Sequence, residues 1–191
     1  MTRETNRMPG DLAPADLSQR VRTLHIARID EMPRIDLYLD QVLSLVSEEL
    51  SFMALPGEML LTGSMVNNYV KQKLVPAPAR RRYTRRHVAT LIFVCAFKRV
   101  FSISEVKDLY EACVECGVNV ASTYDELVGA LEQALAARFG LTEGADAMAA
   151  PNVALLDLAG NEASPELSHL MSAGIEAVAD KVFVEQSLRV R

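Results

Sequence analysis

The sequence predicts a mainly α-helical fold, and three observations support this prediction. Apolar residues recur at spacings of three and four in several segments, which is the period of a helix with one buried face. Residues that cap helix N-termini, such as Thr62 and Thr84, precede several of these segments. At 191 residues and 50% hydrophobic, the chain can also bury a real core.

The N-terminal part is expected to hold a tail and two helices. Residues 1–13 have low hydrophobicity and are expected to form a loose tail. Pro14 can then begin a short helix. Asp36 is a good N-cap for a second, amphipathic helix that extends to Met53. The apolar face of this second helix would consist of Leu39, Val42, Leu43, Val46 and Leu50.

A strongly basic segment runs from Met59 to Ser104 and contains no aspartate or glutamate. It carries nine of the twenty lysines and arginines, whereas the rest of the chain holds eleven of them and all 25 acidic residues. The nine are Lys71, Lys73, Arg80, Arg81, Arg82, Arg85, Arg86, Lys98 and Arg99. Because contacts from lysine and arginine to phosphates supply most nucleic-acid affinity, such a segment is typical of a nucleic-acid-binding surface. An ordinary solvated basic face is the alternative.

A short helix is predicted within the basic segment, from about Gly63 to Lys73, with Thr62 as its cap. Its buried face would consist of Val66, Tyr69, Val70 and Leu74. Its opposite face would consist of Ser64, Asn67, Asn68 and Lys71. Asparagine can bond to the N6 and N7 edge of adenine, and the residues at the rim can reach phosphate oxygens, so this face would fit a major groove. An ordinary exposed helix face would show the same spacing.

The chain is then predicted to leave the helix and form a basic arm. Pro76 and Pro78 cannot continue a helix. Residues 80–82, three successive arginines, would form either a short extended arm or one side of a small hairpin that grips a DNA backbone or enters a minor groove. From Thr84, an apolar helix is expected to lie at the centre of the core, followed by another helix over 102–117.

These motifs resemble two bacterial families. The runs Asn68–Pro76, Tyr83–Leu91 and Phe101–Leu109 resemble the winged-helix DNA-binding domain of the mercury-resistance-regulator (MerR) family. In that family a recognition helix ends in a leucine-leucine-proline stretch, a basic wing leads to a tyrosine-threonine helix start, and a phenylalanine-serine pair opens the next helix. More closely, Pro33–Gln41 and Leu61–Lys71 resemble the signatures of a family known as domain of unknown function 1836.

The resemblance implies a helix-turn-helix or winged-helix core in a transcriptional regulator that binds double-stranded DNA as a homodimer and that responds to an unidentified small-molecule effector. It places the DNA-binding site at Thr62, Ser64, Asn67, Asn68, Tyr69, Lys71, Lys73, Arg80, Arg81, Arg82, Tyr83, Arg85 and Arg86. The sequence departs from the MerR pattern at Asn67 and Asn68, where the regulators have an arginine and a tyrosine. Lys73 replaces a glycine, and the wing is shorter.

The expected organisation has three parts. These are a tail and short helix over 1–31, the MerR-like helix-turn-helix domain over 32–117, and a helical accessory or dimerisation region over 118–191. No segment has the length and apolarity of a membrane span, and the first residues lack the apolar core of a signal peptide. We therefore expect a cytoplasmic protein without membrane contact.

The third part is expected to hold two helices and a loop. Ser122 or Thr123 would cap the first helix, and residues 141–163 would form a loop with one apolar turn at 153–158. A second helix would begin at Ser164. Its apolar stripe consists of Leu167, Leu170, Met171, Ile175, Val178 and Val182. This stripe would either close the core or form the dimer interface.

The sequence contains no arrangement typical of catalysis, so we expect neither an enzyme nor a cofactor. Cys113 and Cys116 have the spacing of half a zinc site, but buried helix cysteines are the better interpretation, with thiol sensing as the alternative. His87 is expected to contact phosphate or to lie at the surface. The alternative function is a non-enzymatic, all-helical interaction module whose basic segment binds an acidic protein or lipid surface.

Overall fold

The computed structural model of the protein describes residue 19 and residues 21–141 and 151–189. The predicted tail over 1–13 and the helix start at Pro14 lie outside these ranges. Within them lie six complete α-helices, namely α1 (Leu39–Glu49), α2 (Gly63–Lys71), α3 (Arg85–Phe97), α4 (Ile103–Glu115), α5 (Val120–Arg138) and α6 (Pro165–Arg189), and a 3-10 turn at Ser51–Met53. Strand-like pairing in the described ranges is limited to isolated β-bridges, so the prediction of a mainly helical fold is confirmed. None of the described helices has both the length and the apolar composition that crossing a bilayer requires.

Helix α3 lies at the centre of the fold. Its sequence is apolar on nearly all sides, and ten of its thirteen residues are buried. It contacts α1, α4, α5 and α6. Phe93, Phe97 and the following Phe101 form a row of ring contacts, with centroids 4.5 and 5.8 Å apart. The prediction of a central buried helix is therefore confirmed.

Helix α1 begins later than the sequence predicts. The expected cap, Asp36, lies in extended chain, because Leu37 pairs with Tyr83 through two backbone hydrogen bonds of 2.8 and 2.9 Å. The helix starts only after Tyr38, whose amide donates to the Gln41 side chain (2.9 Å). The prediction of Asp36 as the cap was wrong because a distant residue, and not the local sequence, determines the backbone there.

Helix α5 begins earlier than predicted. Asn119, and not Ser122 or Thr123, is its cap, and the Asn119 side chain accepts a hydrogen bond from the first turn (3.1 Å). The preceding Val118 pairs with Asp157 in an antiparallel bridge. Since this bridge holds the chain extended up to Val118, the helix can begin directly after Asn119.

Residues 151–155 of the predicted loop run extended along α6, and a tight turn at 157–161 brings Glu162 back against Leu156. Val153 and Leu155 are fully buried. Their amides donate to the hydroxyl groups of Ser172 (2.9 Å) and Ser168 (3.2 Å) on α6. The predicted apolar turn at this place was wrong, because α6 supplies side-chain partners for an extended backbone.

Helix α6 closes the core with the predicted apolar stripe. The buried members are Leu167, Met171, Ile175, Val178 and Val182, and Leu170 is exposed. Gly174 packs directly on the Phe97 ring, since a methyl group at this glycine would lie 2.8 Å from a ring carbon. The interpretation of the stripe as core is confirmed, and its buried residues are not available to a second copy of the chain.

Residues 25–32 form a segment that the sequence does not predict, and we call it the N-terminal strap. Four consecutive amides donate to carboxylates, those of Ile26 to Glu132 (2.6 Å), Ala27 to Glu49 (2.7 Å), Arg28 to Glu31 (2.7 Å) and Ile29 to Asp125 (2.8 Å). The Arg28 guanidinium also pairs with Glu132 (2.6 Å), and this contact is the main reason why the pKa of Arg28 is raised. The strap therefore fastens the chain before α1 to both α1 and α5.

One continuous apolar core contains residues from both sides of the predicted boundary between 117 and 118. On one side, α3 contributes its buried face, and on the other side α5 and α6 pack against it. The strap crosses the same boundary through Asp125 and Glu132. The helices on the two sides are thus joined by apolar packing and by charged hydrogen bonds.

Candidate nucleic-acid interface

Helix α2 presents its predicted polar face to solvent. Thr62 caps the helix as predicted, and its hydroxyl accepts a hydrogen bond from the Met65 amide (3.2 Å). The exposed residues are Ser64, Asn67, Asn68 and Lys71. Val66 and Tyr69 are buried on the opposite side. The outer face therefore consists of two adjacent amide groups with a hydroxyl before them and an ammonium group after them.

Helix α2 contacts α1, and Val66 and Tyr69 anchor it in the core. A methyl group at Gly63, the first residue of α2, would lie 3.4 Å from a methyl carbon of Leu39 at the start of α1. The connection from Glu49 to Gly63 includes the 3-10 turn and is longer than the three or four residues usual in a helix-turn-helix. Helix α2 is thus placed by the packing of its buried side and not by a tight turn.

Helix α2 ends two residues earlier than predicted. Lys73 has a φ of 60°, and the following Leu74 amide donates back to the Tyr69 carbonyl (3.0 Å). A left-handed residue of this kind commonly ends a helix, and glycine is the usual choice because it lacks a Cβ atom. Lys73 is exposed and carries its charge beside the end of α2.

Arg80 and Arg81 form the tip of a tight hairpin. Ala79 pairs with Arg82, whose amide donates to the Ala79 carbonyl (2.9 Å). Between them, Arg80 and Arg81 have φ values of 50° and 60°, as in a type I′ turn. A side chain costs about 1–2 kcal/mol in this left-handed conformation. Of the two predicted alternatives the hairpin is the one found, but Arg80 and Arg81 form its turn and not one of its sides, and both are exposed.

Arg82 and Arg85, in contrast, are bound by the protein itself. The Arg82 guanidinium lies 3.5 Å from the centroid of the Tyr38 ring and donates to the Tyr38 hydroxyl (2.6 Å) and to the Asp36 carbonyl (3.4 Å). Arg85 pairs with Asp30 at 2.9 Å. These two residues of the predicted site therefore stabilise the base of the hairpin and the start of α3.

Two further cations of the basic segment are partly buried and bound by the protein itself. Lys98 donates to the Leu60 carbonyl. Arg99 has a side chain only 9% exposed and pairs with Glu58 (2.7 Å) and Glu185 (3.5 Å). Among the described residues, five cations of the segment are exposed and form no salt bridge, and they are Lys71, Lys73, Arg80, Arg81 and Arg86.

Two tyrosines of the predicted site and His87 are buried. Burial raises the pKa of Tyr69 to about 12 and also raises the pKa of Tyr83. The expectation that His87 lies at the surface was wrong, because its Nδ1 turns back to accept a hydrogen bond from the Thr84 amide (3.0 Å). The His87 ring also packs edge-on against Tyr83 at 5.6 Å between centroids, and burial lowers its pKa.

The three cysteines are free thiols. Cys95 is buried in α3, Cys113 is half-buried in α4, and Cys116 is exposed just after α4. The interpretation of Cys113 and Cys116 as buried helix cysteines is thus partly correct for Cys113 and wrong for Cys116. In the part of the chain that the structure describes, no three histidine, cysteine or acidic residues lie close enough together to hold a metal ion.

The residues that support the hairpin could not be found from local patterns. Leu37 and Tyr38 contact Tyr83 and Arg82 across more than forty residues of sequence. Helical spacing and capping rules relate only residues within a few positions of each other. The one available indication was the place of both residues in the Pro33–Gln41 motif.

The region that contains α2 and the hairpin also matches a known protein family. A family described as Domain of unknown function (DUF1836) matches residues 27–127, which is more than half of the chain. The match includes most of the strap, helices α1 to α4 and the hairpin. No curated protein and no solved structure matches the chain. The chain therefore belongs to the family of the domain of unknown function 1836.

Proposed function

We propose that this protein binds double-stranded DNA, with the polar face of α2 toward base edges in the major groove and the hairpin tip against the phosphate backbone. The observation that carries the proposal is the pair Arg80 and Arg81, two exposed cations at consecutive strained positions of the backbone. Strained non-glycine residues cluster where their side chains serve a function. Two positive charges held at an exposed tip suit a DNA backbone.

The two elements are close enough to contact one stretch of DNA. Nine residue steps separate Lys71 from Arg80, so their Cα atoms lie at most about 32 Å apart. This is less than the roughly 34 Å of one turn of duplex DNA. The proposed contact residues are Ser64, Asn67, Asn68, Lys71, Lys73, Arg80, Arg81 and Arg86. Tyr69 and Tyr83 are omitted because they are buried, and Thr62 because its hydroxyl caps α2.

The finer resemblance to MerR regulators belongs to the same proposal. In this interpretation α1 and α2 correspond to the helix-turn-helix, α2 is the recognition helix, and the hairpin is the wing. Lys73 supports the correspondence, because it stands where those regulators have a glycine and adopts a positive φ that glycine favours. The long connection between α1 and α2 would then be a feature of this family.

A homodimer is also part of the proposal. Leu170, Val184 and Leu188 are exposed on α6, although most of the apolar stripe of this helix is buried. At 3.6 residues per turn, these three side chains lie within about 40° of one direction. Val184 and Leu188, one turn apart near the C-terminal end of α6, form an exposed apolar pair that suits contact with a second copy, and two-fold symmetry would bring the pair against itself.

Binding of the purified protein to a random pool of double-stranded DNA across a salt series, followed by sequencing of the retained DNA, tests the proposal. We expect affinity to fall steeply with salt and a roughly palindromic motif to be enriched. The double variant Arg80→Asn/Arg81→Gly should weaken binding to all sequences alike. Asn67→Ala should reduce discrimination between sequences by about 1–3 kcal/mol.

A matched control removes two positive charges outside the basic segment. Arg22→Gln/Lys181→Gln changes the net charge by the same amount as the hairpin variant and should leave DNA binding nearly unchanged. Absence of DNA binding even at low salt would contradict the proposal. Binding to vesicles that contain anionic lipid, or to an acidic protein, would then support the interaction-module alternative.

A further inference from the structure

The chain between the 3-10 turn and α2 is held by two other helices. We call residues 53–61, which lead from the end of this turn to the cap of α2, the α2 loop. Leu60 and Leu61 are buried, so the loop lies in the core where it enters α2. In its middle, the Glu58 amide donates to the Leu55 carbonyl and the Leu55 amide donates to Glu58 Oε2 (both 2.9 Å). The carboxylate of Glu58 thus closes a turn and keeps its second oxygen for another partner.

Arg99, which follows α3, is that partner. Its side chain is only 9% exposed, and its guanidinium pairs with Glu58 Oε1 (2.7 Å) and with Glu185 of α6 (3.5 Å). It also donates to the Met53 carbonyl, where the α2 loop begins. A guanidinium is a rigid planar fork with five N–H donors, so it can bind several acceptors at fixed angles. Arg99 therefore joins the α2 loop, the end of α3 and α6 at one point.

The two ends of the α2 loop are also bound by side chains from these two helices. Near its start, the Ala54 carbonyl accepts hydrogen bonds from Gln186 (3.4 Å) and Arg189 (3.5 Å) at the C-terminal end of α6. Near its end, the Leu60 carbonyl accepts a hydrogen bond from Lys98, the residue that ends α3. Gln186 is only 6% exposed, so its contact is shielded from water. The backbone of the loop is thus fixed both before and after its central turn.

The position of the α2 loop determines how α2 presents its polar face. Helix α2 has nine residues, of which Val66 and Tyr69 are buried. These two side chains hold the helix on the core, and the chain that enters the helix sets its tilt. A bidentate bond from asparagine to adenine needs donor–acceptor distances of about 2.9 Å. Contact residues of this kind must be held to within about 0.5 Å. A loosened α2 loop would therefore reduce base discrimination and leave the phosphate contacts of the hairpin in place.

We propose that Arg99 is a positioning residue for the DNA site, because it fixes the α2 loop and thereby the angle at which α2 presents Asn67 and Asn68 to base edges. Arg99 itself contacts no DNA in this arrangement, since its side chain is turned into the protein. The inference rests on the proposed DNA binding and adds a residue that controls sequence discrimination from behind the interface. Since α6 supplies partners for both Arg99 and the α2 loop, its C-terminal end contributes to this control.

The variant Arg99→Lys tests the proposal, because it keeps the positive charge but replaces the planar fork with a single ammonium group. We expect the ratio of affinities for the enriched DNA motif and for a scrambled duplex to fall about 5-fold or more. The affinity for the scrambled duplex and its salt dependence should stay unchanged. Without DNA, hydrogen exchange should become faster at the amides of Leu55 and Val66. Gln186→Met, a milder change, removes one bond from α6 to Ala54 and should cause smaller changes in the same direction.

Arg28→Lys is the matched control. Arg28 also bonds a carbonyl and a carboxylate, those of Ile26 (2.7 Å) and Glu132 (2.6 Å), but it lies in the N-terminal strap. This variant should keep the full affinity ratio and the same exchange rates in the α2 loop and α2. The proposal is overturned if both variants reduce the ratio equally, or if Arg99→Lys leaves the ratio or the exchange rates unchanged. If the unmodified protein bound no DNA, the proposed function and the role in discrimination would both fall, and the exchange rates would separately decide whether Arg99 fixes the loop.

Discussion

Arg80 and Arg81 adopt the backbone that a type I′ turn usually gives to asparagine and glycine. The variant Arg80→Asn/Arg81→Gly should therefore raise the free energy of unfolding by about 1 kcal/mol. Urea unfolding followed by circular dichroism measures this change. We expect the same variant to bind DNA more weakly, so that stability and binding move in opposite directions. A loss of stability would instead show that the arginines hold the turn through contacts of their own.

His87 should make the folded protein sensitive to acid. Burial is the main cause that lowers its pKa below the ordinary value of 6.5, against smaller opposing effects of the Ala77 backbone and of Asp36. A base with a lower pKa in the folded state contributes full stability above the unfolded pKa, and this stability is lost as the pH falls below it. We expect the melting temperature to decrease between pH 7 and pH 5. His87→Gln should flatten this decrease, whereas His169→Gln, at an exposed position, should not. Equal pH profiles for the two variants would contradict the assignment.

The stability of the N-terminal strap should depend on the carboxylates that accept hydrogen bonds from its amides. Glu132 accepts hydrogen bonds from the Ile26 amide and the Arg28 guanidinium in a partly buried setting. We expect Glu132→Ala to lower the free energy of unfolding by about 1–3 kcal/mol and to speed hydrogen exchange at the Ile26 amide. Glu126→Ala, which removes an exposed carboxylate from the same helix, is the control and should change neither. Unchanged exchange at Ile26 in both variants would show that the strap is held by its buried isoleucines instead.

The elements that the sequence predicted well are those whose determinants are local. The Thr62 cap, the polar face of α2 and the central helix α3 follow from spacings of three and four residues. The elements that it missed depend on contacts across the chain. Asp36 does not cap a helix because Leu37 pairs with Tyr83. Arg82 does not belong to the exposed cations because it stacks on Tyr38. Charge counting cannot separate such bound cations from free ones.

At the scale of the whole molecule, the shared core predicts one cooperative unfolding transition. Helix α3 contacts α5 and α6, and the strap joins α1 to α5, so residues on both sides of position 117 contribute to one core. Small domains with a single core usually unfold in one step. Circular dichroism, which reports all helices, and hydrogen exchange of α1 amides should therefore give the same midpoint in urea.

Two glycine substitutions on different helices test this cooperativity. Gly174→Ala on α6 would place a methyl group 2.8 Å from a carbon of the buried Phe97 ring, so we expect a loss of about 1–3 kcal/mol. Gly129→Ala on α5 meets only an ordinary contact at 3.6 Å with Arg28, so we expect a gain of up to about 1 kcal/mol from helix propensity. Each change should shift the α1 exchange midpoint as much as the circular dichroism midpoint. If Gly174→Ala shifted only part of the transition and left α1 unchanged, residues 118–191 would unfold as a separate unit and the shared core would not be cooperative.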